Sequence, residues 1–517
     1  MILYRNFRWG TSGEPQEMLV DAGRVVARGP RLALEGAVVE DLDGKWMLPA
    51  FVDAHCHILP TGLDLQKLHL GAACSQEAVL DLVRERHRTH PEGWLLAVHY
   101  DQNRFSGGCH VTAAMLDSIS LTRPILLRHV NGHASIANTA ALRAADIAED
   151  AADPAGGAFG RDAAGRLTGL LLEHAHEYVW DRSPAPSLEE MTEAIILAGS
   201  QMAELGIVCA SDMMTGRFDL RQEILAYRQA ADRGCPVATR LYLQWGTALG
   251  PRGVAPSELA ELTTDLAAGG GRGSRVAGIK IFSDGAIGSA TAAIYGRYSG
   301  STADGPVLSH KARSASESSD AEVAGQLIYR PERLTEMTRV ASDAGYSVAV
   351  HAIGDYATDL VLDAFEASGE PSRHRLEHGM ILSDTQISRM ASLGCSLTFQ
   401  PEFLLRFGHT YRRQLGEDRT LMLKRSRSVL DAGIPLSFSS DRPIVGGNPW
   451  DGMRMAVGRP GFAASERCTA AEALEAYTVA GSRVNGDGCE FGSLLPGTDA
   501  TFQVFDFDPR EMLEPAA

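Results

Sequence analysis

The stretch FVDAHCHILP, Phe51–Pro60, combines an apolar run with two histidines that are two residues apart. It begins as an apolar strand, and residues two apart on a strand point to the same face. His55 and His57 are therefore predicted to project together from the carboxyl end of this strand. Two imidazoles at that separation can share one divalent metal ion. Taken alone, the pair is equally compatible with two unrelated histidines, so metal binding has to be judged from the rest of the sequence.

Downstream of this strand, short apolar strands alternate with amphipathic helical segments. WMLPAFVDAH is interpreted as the first strand, and the later ones include GIVCASD, ATRLYLQW, VAGIKIFSDG, SVAVHAIG, HRLEHG, CSLTFQ and PLSFSSD. This alternation is typical of an α/β fold with a parallel sheet. Eight such repeats would close a (β/α)8 TIM barrel of about 250 residues. We therefore predict a (β/α)8 barrel.

Two regions do not fit the barrel repeat. Both ends of the chain are predicted to form short strands broken by turns, which indicates one small β-domain built from 1–48 and 485–517. Residues 64–190 are an excess after the first barrel strand, and we predict an insertion that covers the active site. The barrel itself is then expected to comprise 49–63 and 191–484.

Composition excludes several classes of partner. The chain has 517 residues, with 48 Lys and Arg against 65 Asp and Glu, which gives a net charge of −17. Nucleic acids and anionic membranes attract clustered basic residues, so neither is expected as a partner. No apolar run approaches the ~20 residues that a membrane span needs, and the first residues lack an apolar export segment. The eight scattered cysteines fit reduced thiols in a cytoplasmic protein.

Three more predicted strands end in residues that can bind a metal. His351 ends SVAVH, His378 ends RLEH, and Asp441 follows PLSFSS. Each alone could be a hydrogen-bonded core histidine or a turn-forming aspartate. A series at consecutive strand ends is harder to explain structurally, because buried ionisable groups are costly unless paired or metal-bound. Catalytic groups of barrels also lie at the carboxyl ends of the strands.

Two further features leave alternatives open. His174 and His176 repeat the same spacing inside the predicted insertion, where no barrel strand ends, so a structural or substrate-facing role is favoured over ligation. Lys280 lies in the apolar strand VAGIKIF, where a lysine is rare unless compensated. It either forms an ion pair with Asp284 or carries a carbamate, which turns a cation into a carboxylate able to bridge two metals. The spacing does not distinguish these two states.

The combination of motifs resembles the amidohydrolase superfamily, and within it the branch similar to N-substituted formamide deformylases. Matching stretches cover essentially the whole chain and include LPAFVDAHCH, RHVNGHASIANTAAL, GIKIFSDGAIGSATA, VAVHAIGDYA, HRLEHG and FSSDRPI. The resemblance implies a (β/α)8 barrel, a β-sandwich built from both termini, and one or two divalent ions, usually zinc. The implied metal ligands are His55, His57, Lys280 as a carbamate, His351, His378 and Asp441.

The favoured function is metal-dependent hydrolysis of a C–N bond in an amide, an N-substituted formamide or a related small molecule. A metal lowers the pKa of its bound water towards ~7, and the hydroxide attacks the carbonyl carbon. Asp441 would take the hydroxide proton and return it to the leaving nitrogen. His133 and Gln400 are predicted to contact the substrate, although either could be a structural hydrogen-bonder. Arg442 stands where the family commonly has a small or apolar residue, and we predict that it recognises an anionic substrate group.

Two other functions remain open at this point. A deaminase of a ring amidine uses the same fold, but such enzymes typically use one metal and lack the bridging lysine. A non-catalytic binding relative would show loss of ligand positions, whereas all six are present here. The sequence does not reveal the natural substrate or the metal. Nor does it reveal the oligomeric state, and a homodimer is one of the states that it allows.

Overall fold

A computed structural model describes residues 1–9, 13–32, 36–130, 134–154, 157–299 and 322–513. The chain divides into two compact units. The first consists of Met1–Leu59 and Ile195–Ala517, and the second of Pro60–Ala194. Among the described helices, none combines the length and the apolar character that a membrane span requires.

An eight-stranded parallel sheet forms the centre of the first unit and confirms the predicted (β/α)8 barrel. Its strands, in spatial order, are β6 (Phe51–Cys56), β13 (Ile207–Thr215), β14 (Ala238–Gln244), β15 (Ser274–Phe282), β18 (Ser347–Ala352), β19 (Arg375–His378), β20 (Ser396–Phe399) and β21 (Leu436–Phe438). All six residues of β6 are buried, as expected for a strand covered on both faces. The ring closes where the Asp441 amide donates to the His55 carbonyl, 2.7 Å away.

Helices alternate with the barrel strands. They are α6 (Leu188–Glu204), α7 (Leu220–Asp232), α8 (Trp245–Ala248), α9 (Pro256–Ala267), α10 (Pro331–Asp343), α11 (Asp355–Ala367), α12 (Asp384–Leu393), α13 (Glu402–Leu415), α14 (Glu417–Thr420), α15 (Ser426–Asp431), α16 (Pro449–Gly458), α17 (Ala470–Ala476) and α18 (Val479–Val484). Local sequence sets their ends. In α12, Ser383 and Gln386 form a capping box, and Gly394 ends the helix with a left-handed φ of +68°.

Strands from both ends of the chain share one six-stranded sheet. They are β1 (Ile2–Arg8), β2 (Pro15–Asp21), β3 (Arg24–Gly29), β4 (Val38–Asp41), β5 (Trp46–Pro49) and β22 (Phe502–Phe505). The interpretation of WMLPAFVDAH as one strand is wrong. The chain changes partner at Ala50, so that β5 pairs with β22 while β6 joins the barrel. The second sheet that a sandwich requires stays a prediction.

The second unit has its own sheet and its own buried core. The strands are β7 (Leu68–His69), β8 (Leu95–Tyr100), β9 (Ile125–His129), β10 (Ala134–Ala137), β11 (Gly157–Arg161) and β12 (Leu167–Glu173). The helices between Leu59 and Leu188 are α2 (Gln76–Thr89), α3 (Ala113–Asp117), α4 (Thr139–Ala144) and α5 (His174–Trp180), and α1 (Ile58–Gln66) leads into them. Two short strands of the first unit, β16 (Ile294–Tyr295) and β17 (Val323–Ala324), pair with each other. That the predicted insertion covers the active site stays a prediction.

Candidate metal centre

Three predicted ligands meet where the barrel closes. The Nε2 atoms of His55 and His57 lie 3.4 and 2.9 Å from Asp441 Oδ1. The ligand-type atoms of the three side chains all lie within 4.8 Å of one another, and all three side chains are buried. They converge because His55 lies near the end of β6, His57 follows directly after that strand, and the chain following β21 runs beside it. Asp441 itself has a left-handed backbone, with φ of +60°.

His378 and His351 adjoin this group. The His378 ring centroid lies 4.8 Å from that of His55 and 4.5 Å from that of His351. His378 Nδ1 is 4.0 Å from Asp441 Oδ2. His351 Nε2 instead contacts the Gly285 carbonyl at 3.0 Å. The four histidines and the aspartate therefore form one continuous cluster, in which the first three ligands are the most compact. Metal ligation by these residues stays a prediction.

Lys280 is buried beside the cluster, and the alternative of an ion pair with Asp284 is wrong. Within the described residues, Lys280 Nζ has no hydrogen-bond partner. The Asp284 carboxylate instead accepts hydrogen bonds from the backbone amides of Ala293, Ile353 and Gly354. Burial lowers the pKa of Lys280 to about 8. The neutral amine, which is the form that reacts with CO2, is therefore a larger fraction of Lys280 at neutral pH than of an exposed lysine.

Glu377 is a buried carboxylate beside the candidate ligands that the sequence motifs do not reveal. Its Oε2 accepts a hydrogen bond from His55 Nδ1 at 2.5 Å, and its Oε1 accepts one from Arg375 Nε. A carboxylate on Nδ1 holds the imidazole as the tautomer with its lone pair on Nε2, the nitrogen that faces Asp441. Burial opposes ionisation, yet Arg375 and His55 hold the pKa of Glu377 below its usual value. The sequence signal that could have indicated Glu377 is its position two residues after Arg375 in a short buried strand.

The backbone of His378 explains why consecutive residues serve one centre. On a regular strand, Glu377 and His378 would point to opposite faces. His378 has a φ of +72°, in the left-handed region that residues other than glycine seldom adopt. This turn lets the His378 ring pack against the same His55 ring that Glu377 holds.

The predicted substrate-binding residues have different surroundings. His133 lies outside the described residues. Gln400 is fully buried, and its amide bonds to His378, Lys424 and Ser439, which supports the structural alternative. Arg442 is 4% exposed, and its guanidinium donates to Gln201 in α6. In the described part of the chain, its Nε and Nη1 atoms have no partner. Recognition of an anionic substrate group by Arg442 stays a prediction.

The second histidine pair differs from the first. Strand β12 ends at Glu173 and α5 begins at His174, so His174 and His176 are not strand neighbours. His176 Nδ1 lies 2.5 Å from Ser135 Oγ, whereas the His174 side chain is 63% exposed. These contacts support the structural alternative for His176.

The donor set fits a divalent metal ion. Imidazole nitrogens and a carboxylate oxygen are ligands that zinc prefers. The buried His57 Nδ1 has no hydrogen-bond partner among the residues that the structure describes. Burial lowers the pKa of His351 to about 3 and that of His378 well below its usual value. Both rings are therefore neutral at pH 7 and retain a lone pair for a metal.

Comparison with known proteins identifies the family. Residues 38–516 match the profile described as "Amidohydrolase family". The chain belongs to the amidohydrolase family. The putative amidohydrolase YtcJ of Bacillus subtilis (strain 168) is 30% identical over 481 residues, which cover 90% of this chain and 85% of that protein. N-substituted formamide deformylase of Arthrobacter pascens is 29% identical over 525 residues, which cover 96% and 90%.

A solved structure extends this likeness to the fold. An uncharacterized metal-dependent hydrolase from Pyrococcus furiosus matches with a TM-score of 0.79 and 25% identity, over 98% of this amidohydrolase and 99% of that chain. The resemblance inferred from the motifs is thus confirmed. Family membership and this structural likeness support a hydrolytic enzyme that uses a divalent metal.

Proposed function

We propose that this amidohydrolase hydrolyses a C–N bond, other than a peptide bond, in a small amide or N-substituted formamide. The observation that carries the proposal is the convergence of His55, His57 and Asp441 within 4.8 Å at the carboxyl end of the barrel strands. The similarity to an N-substituted formamide deformylase supports the substrate class. In such a reaction the C–N bond breaks, a C–O bond forms, and the products are a carboxylic acid and an amine.

Asp441 is the residue proposed to move protons. Burial opposes its ionisation, but His55 and His57 hold the pKa of Asp441 well below its usual value, so its carboxylate is charged at neutral pH. It can accept a proton from the attacking water and give it to the leaving nitrogen. A divalent metal, zinc in our proposal, supplies Lewis acidity: it lowers the pKa of water and polarises the carbonyl oxygen.

The remaining ligands are proposed to be His351, His378 and Lys280. Lys280 is proposed to carry a carbamate, in which its neutral nitrogen has bonded to the carbon of CO2 and lost a proton. A buried Nζ without a partner among the described residues supports this modification. The presence of a lysine at this position also disfavours the deaminase alternative, because those enzymes typically lack it. Metal stoichiometry separates the two possibilities.

Metal removal tests the proposal. The protein is treated with a chelator, reloaded with zinc or manganese, and screened against amides, formamides, carbamates, lactams and ring amidines, with product amines and ammonia measured. We expect activity to disappear and return with the metal. Full activity in exhaustively metal-free protein would overturn the mechanism. If ring amidines were the only compounds hydrolysed, with release of ammonia, the deaminase would be favoured.

A matched pair of variants locates the site. His57→Ala and His176→Ala each remove one buried histidine of an H-x-H pair. We expect His57→Ala to lower the zinc content per chain and His176→Ala to leave it unchanged. Equal loss of zinc in both variants would contradict the assignment.

Three further proposals concern the substrate, the assembly and the location of the protein: a small-molecule substrate, a homodimer and the cytoplasm. Light scattering tests the oligomeric state.

A further inference from the structure

Lys424 is a buried lysine that the proposed reaction does not use. It lies between α14 and α15 and is 1% exposed. Its Nζ donates hydrogen bonds to the carbonyl oxygen of His378 at 2.7 Å and to Gln400 Oε1 at 2.9 Å. Among the described residues it forms no ion pair, although buried lysines are rare without one. Both of its hydrogen bonds lead to a predicted metal ligand or to the residue that contacts that ligand.

The loop that carries Lys424 is fastened to the segment after His378. The Lys424 amide donates to the Met380 carbonyl at 3.0 Å, and Leu423 pairs with Ile381 in an isolated β-bridge. The buried Arg459 guanidinium donates to the carbonyls of Lys424 and Leu423, each at 2.8 Å. The Lys424 side-chain nitrogen is thereby held against the His378 carbonyl, at the point where the His378 backbone has its left-handed φ of +72°.

The Gln400 amide joins Lys424 to the His378 ring. Its Oε1 accepts from Lys424, and its Nε2 donates to Ser439 Oγ at 2.9 Å. Ser439 Oγ donates in turn to the Phe399 carbonyl at 3.1 Å, so it is free to accept from Gln400. The orientation of a glutamine amide follows from such a network. Oε1 therefore faces His378 Nδ1, which lies 2.8 Å away.

This orientation determines the protonation of His378. An amide oxygen only accepts, so Nδ1 must donate, and a neutral imidazole then has its lone pair on Nε2. We infer that Lys424 and Gln400 are positioning residues that hold His378 as the Nδ1–H tautomer, which leaves the lone pair on Nε2 as the one available to a metal. The inference rests on the proposed function, because it assigns His378 to a metal centre.

Lys424 is needed because the amide group of a glutamine can rotate and exchange the positions of its oxygen and its NH2 group. Glu377 holds His55 with a carboxylate, which accepts at both oxygens. Gln400 could instead turn its NH2 group towards His378 and its oxygen towards the Ser439 hydroxyl. The ring would then accept at Nδ1 and carry its proton on Nε2. The Lys424 donor opposes this second arrangement, since it would meet an NH2 group rather than an oxygen.

The decisive variant is Lys424→Met. Methionine keeps an unbranched stem against Phe399 and Phe403 but removes both hydrogen bonds. Loss of a residue that orients a metal ligand typically costs about 10–100-fold in metal affinity, and we expect a zinc Kd raised by that factor, measured by competition with a chromophoric chelator. A Kd equal to that of the wild type would overturn the inference.

A rescue separates positioning from simple support of the fold. Gln400→Glu in the Lys424→Met background places a carboxylate, which only accepts, against His378 Nδ1. We expect the double variant to recover most of the lost zinc affinity, although a buried donor is still missing. A double variant that binds zinc no better than Lys424→Met would overturn the inference.

Gln400 gives an independent test if Lys424→Met does not fold. We expect Gln400→Leu to weaken zinc binding about 10–100-fold and Gln400→Glu to retain it, with circular dichroism confirming that both fold. Equal Kd values for the two variants would overturn the inference.

The tautomer can also be read without a metal. Imidazole 15N shifts of the metal-free protein, assigned with His378→Ala, should show His378 protonated at Nδ1 in the wild type and a mixture of tautomers in Lys424→Met. Protonation at Nε2 in the wild type would overturn the inference. If the wild type binds no divalent metal while these shifts are as expected, the proposed function fails and the positioning of His378 stands.

Discussion

Glu377→Gln replaces one oxygen of the carboxylate between His55 and Arg375 with an NH2 group. Arg375 is a donor only, so its guanidinium requires the remaining oxygen. The NH2 group then faces His55 Nδ1, which is 2.5 Å from the carboxylate in the wild type. The ring must accept there and carry its proton on Nε2. That nitrogen lies 3.4 Å from Asp441 Oδ1 and can no longer bind a metal.

The size of the effect follows from these contacts. Losing an orienting partner of a metal ligand typically costs about 10–100-fold in affinity, or about 1.4–2.7 kcal/mol. The change also leaves the buried Arg375 without its carboxylate, and breaking a buried pair costs about 3–5 kcal/mol of folding stability. Arg375 keeps its hydrogen bonds to Asn485 Oδ1 and the Ala54 carbonyl, which moderates this loss. We therefore expect the zinc Kd to rise and the Tm of the metal-free protein to fall.

The assay compares zinc competition and thermal unfolding in three proteins. They are the wild type, Glu377→Gln and Glu466→Gln, the last of which alters a buried glutamate paired with Arg425. We expect Glu466→Gln to lower the Tm without changing the zinc Kd. A zinc Kd for Glu377→Gln within experimental error of the wild type would refute the tautomer argument, and a rise of equal size in Glu466→Gln would show that stability alone controls binding.

Three other changes test the remaining chemistry. Asp441→Asn keeps the shape but removes the basic oxygen, so kcat should fall about 10²–10⁴-fold and the pH–rate profile should lose its acidic limb; near-native kcat would assign the proton transfer to another group. Lys280→Ala should remove at least one metal per chain, measured by elemental analysis, with partial rescue by short carboxylic acids; unchanged metal content would contradict the carbamate. Burial raises the pKa of Glu223 from 4.5 to about 7, so the folded protein keeps a proton that the unfolded chain releases, and the free energy of unfolding should fall as the pH rises between these values. This term amounts to up to about 3 kcal/mol, and urea titrations at pH 5 and pH 8 should show a smaller difference in Glu223→Gln; an identical difference would show that Glu223 does not titrate in this range.

The barrel and most of the candidate centre could be predicted from the sequence. Parallel strands covered on both faces leave continuous apolar runs, and ligand-type residues such as His55, His351 and His378 stand at the ends of these runs. Both features are local, so they remain visible without a structure. The strand WMLPAFVDAH was predicted wrongly at Ala50, because the change of partner there depends on pairing with Phe502–Phe505 at the other end of the chain.

The network that orients the ligands required the three-dimensional structure. His55 and Glu377 are 322 residues apart, and Lys424 and His378 are 46 residues apart in different segments. In the sequence, Lys424 resembles an ordinary loop lysine, and Glu377 should point away from its neighbour His378. Barrel closure, the left-handed backbone of His378 and the Arg459 contacts bring these side chains together. The sequence by itself shows that ligand-type residues stand at the ends of the barrel strands. Their hydrogen-bond partners depend on long-range packing that no local pattern encodes.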